Sequence, residues 1–263
     1  MFERRLAIMR RLSDEEHVST SDLSESLGVT TVTVRADLKV LEQRGKLRRI
    51  RGGAVPASPL VETSPHIRRN VDGNEKALIA SAAVALLEPG TSVLLDVGTT
   101  TFAVSERIAQ DDELTDLTVV TNGLMIATAL EPALPRISVQ ITGGAVRAMQ
   151  HSLVNPGVTE SLSRLRTNIA FIGCDAIHPK YGVTTTNFPE ADIKEAMRKA
   201  TDRSVLLAAS SKLDEVAMVR VNDIAAFDTL VTAGKVDQHQ VEALEDLGLE
   251  VVVAGHQGNT LPT

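Results

Sequence analysis

The chain has 263 residues, of which 43% are hydrophobic and 23% are charged, and its formal net charge is −7. No segment approaches the ~18 consecutive apolar residues of a membrane span, and the first residues lack the apolar core of a signal peptide, so we expect a cytoplasmic protein with no membrane partner. A single cysteine, Cys174, excludes an internal disulfide, and the scattered histidines show no ligand spacing, so we expect neither a metal nor a cofactor.

The net charge hides an uneven distribution along the chain. Residues 1–55 carry 11 Lys and Arg against 8 Asp and Glu, whereas the remainder carries 16 against 26. A basic segment attached to an acidic body suggests that the basic segment binds a polyanion. A solvated basic helix face is the alternative, and charge by itself favours that alternative.

Three short helices are predicted in this basic segment. Apolar residues recur at helical spacing over residues 3–12, and a second short helix ends at Gly28. The third covers "TTVTVRADLKVLEQRG", with Thr30 as the candidate N-cap and Gly45 as the C-terminal stop. Two helices joined by a short turn that contains glycine form a helix-turn-helix.

The third helix is predicted to have a core face and an outward face. When Val34, Leu38 and Leu41 face the core, the helical period turns short and basic side chains outward. Arginine can read guanine in a major groove, and valine or threonine methyl groups can contact a thymine methyl. The predicted DNA-contacting residues of this helix are Thr31, Val32, Thr33, Arg35 and Lys39.

A β-wing is predicted after this helix. The stretch "KLRRIRGGAV" alternates basic and apolar residues and turns at Gly52–Gly53, which indicates two strands. Arg48, Arg49 and Arg51 are then available to the DNA backbone.

The stretch "TVTVRADLKVLEQRGKLRRIRGGAV" resembles the winged helix-turn-helix of the DeoR family of bacterial transcription regulators. The resemblance implies binding to double-stranded operator DNA. Ala36 departs from the family pattern, because a second basic residue usually follows the arginine of the recognition helix, and one expected DNA contact is therefore in doubt. The alternative is a set of three helices that only docks protein.

Composition divides the rest of the chain. Residues 57–74 are rich in proline and polar residues and lack a clear period, so they are predicted as a linker between a DNA-binding domain (1–56) and a second domain (75–255), with a tail over 256–263. From residue 75 onward, short apolar strands alternate with helices, which predicts an α/β domain with a mainly parallel sheet. Ligands bind beyond the carboxyl ends of the strands in such sheets.

Small and polar residues follow four of the predicted strands. Glycines let backbone amides approach an anion, threonine hydroxyls donate hydrogen bonds, and a helix N-terminus adds its dipole. One such loop is a weak signal, because Gly and Thr also serve turn geometry, but four at one sheet edge predict an anion site. The residues concerned are Asp96, Gly98, Thr99, Thr100, Thr101, Thr121, Asn122, Gly143, Gly144 and Asp175.

Two lysines extend the predicted site. Lys194 lies early in a predicted helix, and Lys212 follows a predicted strand. Either can pair with a phosphate as a point charge. A solvated helix lysine is the alternative.

The segments "DVGTTT", "VVTNGLMIA", "ITGGAVR", "FIGCDAI", "GVTTTN" and "AASSK" resemble the effector domain of the same family, which is similar to ribose-5-phosphate isomerase. The resemblance spans about residues 3–255 and implies a phosphorylated sugar as effector. It places the phosphate at residues 98–101 and one lysine, with Asp96, Asn122 and Asp175 near the sugar hydroxyls.

A sugar-phosphate isomerase with a DNA-binding appendage is the second hypothesis. Such an enzyme needs a carboxylate base and a group that stabilises the enediolate oxygen. After Asp175, Ala176 and Ile177 stand where the isomerases have further acids, and no Gly-rich lysine loop is present. Glu190 is a candidate acid, although a charge at a helix start explains it as well. We therefore predict no catalytic residues.

The function predicted from the sequence is a DNA-binding regulator, a repressor of carbohydrate genes by resemblance, which a phosphorylated sugar shifts between two states. One winged helix offers a small DNA interface, so specific binding needs at least two heads on repeated half-sites. We therefore expect a homo-oligomer, either a dimer or a tetramer.

Overall fold

Two compact units make up the chain, Met1–Val71 and Asp72–Thr263, and each has its own apolar core. In the described part of the chain, no helix is both long and apolar enough to cross a bilayer. The computed structural model describes residues 2–14, 17–43, 47–50, 52–56, 72–147, 150–155 and 157–255.

The described residues of the first unit form three helices and a small antiparallel sheet. Strand β3 pairs with both β1 and β2, so the predicted wing is present. A Cβ at Gly53 would lie 2.0 Å from the carbonyl oxygen of Val18, which explains the glycine at the start of β3. The elements are α1 (Phe2–Asp14), β1 (Val18–Ser19), α2 (Thr20–Ser26), α3 (Thr31–Gln43), β2 (Leu47–Ile50) and β3 (Gly53–Pro56).

Helix α3 buries a carboxylate as well as its apolar face. The side chain of Asp37 is only 2% exposed and accepts hydrogen bonds from Nε of Arg4 (2.6 Å) and Nε of Arg5 (2.7 Å), both on α1. Burial raises the pKa of Asp37, but the two guanidinium groups more than offset this and hold it below its ordinary value. The carboxylate therefore ties α1 to α3.

The second unit alternates strands and helices. Its helices are α4 (Gly73–Val84), α5 (Thr99–Gln110), α6 (Leu124–Leu130), α7 (Val158–Ser163), α8 (Phe188–Lys199) and α9 (Gln238–Glu245). Its strands are β4 (Ser92–Leu95), β5 (Thr118–Thr121), β6 (Ser138–Ile141), β7 (Ala145–Arg147), β8 (Ser152–Val154), β9 (Thr167–Gly173), β10 (Ala176–His178), β11 (Gly182–Thr185), β12 (Thr201–Leu207), β13 (Val219–Asn222), β14 (Thr229–Ala233) and β15 (Glu250–Ala254).

Helices cover both faces of the main sheet. In β4, Val93 and Leu95 pack in a core with α4, α5 and α6, whereas Leu94 packs in a second core with α7, α8 and α9. A strand buried on both faces is expected to be apolar at successive positions, as Val93, Leu94 and Leu95 of β4 are. The predicted fold class, a winged helix-turn-helix followed by a larger, mainly parallel α/β domain, is confirmed.

The order of the strands places a crevice at the centre of the sheet. The seven strands lie in the order β6–β5–β4–β9–β12–β14–β15, and all neighbours are parallel. The chain adds β5 and β6 on one side of β4 and then crosses to the other side. The loops that follow β4 and β9 therefore run apart, and open α/β sheets bind ligands at this switch point.

One boundary differs from its prediction. Helix α4 begins at Gly73, so the linker expected over 57–74 ends by residue 72. Residues 57–71, like the predicted tail over 256–263, lie outside the described residues.

Candidate functional site

The predicted DNA-contacting face of α3 lies on the outside of the first unit. Val32 is 71% exposed, and Thr31, Arg35 and Lys39 are exposed with it. Thr33 is half-buried, and its hydroxyl makes a hydrogen bond within the first turn. The exposed Val32 contributes nothing to the core of this unit, but its methyl groups fit contact with base edges. The exposed cations Arg35 and Lys39 fit contact with base edges and phosphates.

The wing is fastened to α3 by an exposed ion pair. Nε of Arg49 lies 2.7 Å from Oε2 of Glu42, and the backbone amide of Arg49 donates to Oε1 at 2.8 Å. The amide and the guanidinium together hold the pKa of Glu42 below its ordinary value. Arg48 lies in β2, and Arg51 lies outside the described residues. Contact between these arginines and DNA stays a prediction.

A buried ion pair lies at the switch point of the second unit. Nζ of Lys194 is 2.5 Å from Oδ2 of Asp96, and the two side chains are 4% and 1% exposed. The same oxygen accepts the amide of Gly173 at 3.1 Å. Burial lowers the pKa of Lys194, but the carboxylates of Asp96, Glu190 and Asp175 more than offset it, so the pKa lies above its ordinary value. Lys194 is therefore charged, and it neutralises Asp96.

The N-terminus of α5 opens beside this pair. Gly98 is exposed and supplies no side-chain cap, so the first amides of the 12-residue helix have no partner within the helix. Thr99 is half-buried, whereas Thr100 and Thr101 are buried, and the hydroxyl of Thr101 donates to the carbonyl of Gly98 at 3.0 Å. An uncapped helix start attracts anions through its amides and dipole. The loop therefore suits phosphate through its backbone more than through its hydroxyls.

Thr121 and Asn122 position the loops of the site. The Thr121 hydroxyl donates to the carbonyl of Leu95 at 2.7 Å. Oδ1 of Asn122 accepts the amide of Val97 at 3.1 Å. Both side chains are buried, so they fix the loops after β4 and β5, and direct contact with a ligand stays a prediction for both.

The two glycines after β6 have a conformational explanation. Both adopt positive φ angles, 76° at Gly143 and 119° at Gly144. A Cβ at Gly144 would lie 2.4 Å from the carbonyl oxygen of Val154. Turn geometry and the close approach to β8 therefore account for this pair, and their role in ligand binding stays a prediction.

A network of acids and donors forms the far side of the crevice. Oδ2 of Asp175 accepts the Thr185 hydroxyl at 2.8 Å and the Thr186 amide at 3.0 Å. Glu190 accepts from Arg147 at 2.8 Å. The predicted set does not include Arg147 or Thr185, because their spacing does not distinguish them from ordinary surface residues.

Two further lysines lie at the same edge of the sheet. Nζ of Lys212 donates to the carbonyl oxygen of Cys174 at 2.5 Å. Burial raises the pKa of the Cys174 thiol to about 11, although the charges of Lys212 and Lys194 oppose this rise. Lys76, in the first turn of α4, is 6% exposed, and helical periodicity did not single it out.

These groups can together hold a small anionic polyol. The helix start and the lysines favour an anion, and carboxylates accept hydrogen bonds from hydroxyl groups. Among the residues that the structure describes, no three His, Cys, Asp or Glu side chains group in a way that could hold a metal ion.

Comparison with known proteins connects both units to one family. The sequence pattern of the "DeoR-like helix-turn-helix domain" matches residues 4–59, and that of the "DeoR C terminal sensor domain" matches residues 71–234. A protein of Escherichia coli O157:H7 named for transcriptional repression of the aga operon is 33% identical over 256 residues, which cover 96% of this chain and 94% of the relative. The HTH-type transcriptional regulator GlpR of Haloferax volcanii is 33% identical over 251 residues, or 95% and 96% of the two chains.

Solved structures give more distant matches. A D-ribose-5-phosphate isomerase in complex with phospho-erythronic acid is 14% identical with a TM-score of 0.41, over 54% of this chain and 55% of the isomerase. A likeness at this level says nothing about activity. The family matches cover both units, and the chain belongs to the DeoR family of transcription regulators.

Proposed function

We propose that this protein represses carbohydrate genes by binding operator DNA through its first unit, and that a phosphorylated sugar bound in its second unit controls this binding. The observation that carries the effector half is the uncapped N-terminus of α5 at the switch point, next to the buried pair of Asp96 and Lys194, with Lys212 at the end of β9. The relative named for repression of the aga operon supports a repressor.

The exposed face of α3 supports the DNA-binding half. Its residues lie on the side of the helix opposite the core, and two of them, Arg35 and Lys39, are exposed cations. Early residues of a recognition helix contact bases and later ones contact phosphates. Arg35 is therefore proposed to read a base and Lys39 to bind the backbone.

The far side of the crevice supports a sensor over an isomerase. Asp175 already accepts two hydrogen bonds from the chain, and Glu190 is paired with Arg147. A general base must instead reach the proton that it removes. Carboxylates held in this way are better suited to orienting hydroxyl groups.

We also propose that the protein works in the cytoplasm as a homo-oligomer, a dimer or a tetramer. Two heads on repeated half-sites add their contacts, and this supplies the specific affinity that one small head lacks.

A thermal-shift screen of the full-length chain tests the effector. The probes are ribose 5-phosphate, glucose 6-phosphate and fructose 6-phosphate, and the controls are the unphosphorylated sugars and inorganic phosphate. We expect at least one sugar phosphate to raise Tm while its parent sugar does not, because a ligand at 100 times its Kd stabilises the folded state by about 2.7 kcal/mol.

Two results would contradict the proposal. One is the absence of a shift with every sugar phosphate of this panel. The other is aldose–ketose turnover that Asp175→Asn abolishes, since this would make the protein an isomerase.

A further inference from the structure

The 3₁₀ turn Ser210–Lys212 lies between the candidate ligand site and the start of the second unit. It follows β12, and each of its three residues makes a side-chain hydrogen bond. Two of these bonds reach the first residues of the unit, and the third reaches the crevice. The turn therefore contacts both the candidate ligand site and the start of α4, where the chain continues from the linker.

Its first two residues hold the segment that continues from the linker. The carboxylate of Glu75 accepts the amide of Ser210 at 2.9 Å and its hydroxyl at 3.1 Å, although the two residues are 135 positions apart. The hydroxyl of Ser211 donates to Asp72 at 2.8 Å. Asp72 is left-handed (φ 55°, ψ 31°), a conformation that is uncommon for residues other than glycine, although aspartate adopts it more readily than most.

The third residue of the turn points to the crevice. Lys212 donates to the carbonyl of Cys174, which directly precedes Asp175 and lies near Lys194. A phosphate at the start of α5 offers the Lys212 ammonium a charged acceptor, and charge-assisted hydrogen bonds are stronger than those to a neutral carbonyl.

We propose that the turn Ser210–Lys212 transmits ligand binding to the linker. An anion in the crevice draws Lys212 away from the Cys174 carbonyl, and the turn moves with it. This movement changes the hydrogen bonds from Ser210 to Glu75 and from Ser211 to Asp72. The first turn of α4 then changes conformation where the chain leaves for the DNA-binding unit. This inference rests on the proposed function, since the crevice must bind an anion for the device to operate.

The chain contains a matched control for this contact. The amide and hydroxyl of Ser204, which lies on β12, both donate to Oδ2 of Asp228 at 2.7 Å, just as the amide and hydroxyl of Ser210, beyond the end of β12, donate to Glu75. Asp228 precedes β14, whereas Glu75 meets Ser210 beyond the end of β12. The control pair is therefore at the opposite edge of the sheet.

The test compares Ser210→Ala with Ser204→Ala in the full-length chain. The operator is a duplex selected in vitro for binding to the wild type, and the probe is ribose 5-phosphate, glucose 6-phosphate or fructose 6-phosphate, according to which shifts Tm most. We expect Ser210→Ala to bind the probe within about threefold of the wild type, while the change in operator affinity that the probe causes falls at least about tenfold. Ser204→Ala should keep that response. A Ser210→Ala chain that responds like the wild type would overturn the inference.

A second measurement tests the link between the turn and α4 without any ligand, so its result is separate from whether a sugar phosphate binds the wild type. The amide of Lys76 donates to the carbonyl of Asp72, so its hydrogen exchange reports on the first turn of α4. Lys212→Gln should speed this exchange at least about fivefold and leave exchange of the Ser204 amide unchanged. Unchanged exchange at Lys76 would show that the turn transmits nothing.

Discussion

Each unit buries a carboxylate against cations, yet the two pairs have different surroundings. Asp37 lies between two arginines whose side chains are 25% and 20% exposed, on the inner side of the helix whose outer face is proposed to contact DNA. Asp96 lies against one lysine that is almost completely buried, under an open helix start at the switch point of the sheet. A buried ion pair by itself does not mark a functional site. The Asp96 pair is a candidate site because it lies next to the open amides of α5 and between the diverging loops after β4 and β9.

The largest expected effect is the loss of stability when the buried pair of Asp96 and Lys194 is broken. Asp96→Asn leaves the charge of Lys194 buried without a partner, so unfolding of the full chain in urea should show a loss of about 3–5 kcal/mol. Asp202→Asn, which breaks the exposed pair with Arg166, should cost less than about 1 kcal/mol. Equal losses in the two variants would mean that the buried pair contributes no more than a surface contact.

Asp37→Asn should have a smaller effect that is confined to the first unit. Its arginines keep access to water, so we expect a loss of about 1.5–3 kcal/mol. Hydrogen exchange should rise in α1 and α3, and the thermal shift caused by a sugar phosphate should remain. Faster exchange in α5 or α8 would show that the two units do not behave separately.

Arg35→Ala should affect DNA binding without affecting stability. Loss of a contact to guanine should weaken specific operator binding by about 1–3 kcal/mol at matched salt, while Tm stays unchanged. Lys39→Ala serves as the comparison, because loss of a phosphate contact weakens binding to all sequences and lowers the salt slope by about one. Unchanged operator affinity in Arg35→Ala would remove this residue from the interface.

The smallest expected effect is the loss of the stabilisation by Asp37 at low pH. The pKa of Asp37 is lowered in the folded state, so its stabilisation is present above the ordinary value of 3.8 and is lost as pH falls through the folded pKa. The difference in unfolding free energy between the wild type and Asp37→Asn should therefore narrow as pH falls from the ordinary pKa of 3.8 through the lower pKa of the folded state. A constant difference would mean that the carboxylate is not ionised in the folded chain.

Periodicity predicted much of the first unit, because it decides which side of a helix is buried. Val34, Leu38 and Leu41 are in the core, and Val32 is outside, as the helical period requires. In the second unit the same reasoning located the buried strands and the polar residues after them. The hairpins β7–β8 and β10–β11 are too short to give a periodic signal.

Contacts between distant residues could not be predicted in this way. Lys194 and Asp96 are 98 positions apart, and only the crossing from β4 to β9 and α8 brings them together. The polar residues after the strands lie at one edge of the parallel sheet, and their role as a binding site stays a prediction. Their division into loop-positioning residues such as Thr121 and exposed ones such as Gly98 depends on side-chain packing, which spacing does not encode.

The most direct test of the account measures the coupling between the two units. Operator affinity of the full chain is titrated with and without the sugar phosphate that shifts Tm, and affinity for the sugar phosphate is titrated with and without operator. We predict that each ligand changes the affinity for the other by the same factor, about 5-fold to 150-fold, because linkage is reciprocal. If the sugar phosphate binds with an affinity that operator DNA does not alter, the second unit does not control the first, and the account is wrong.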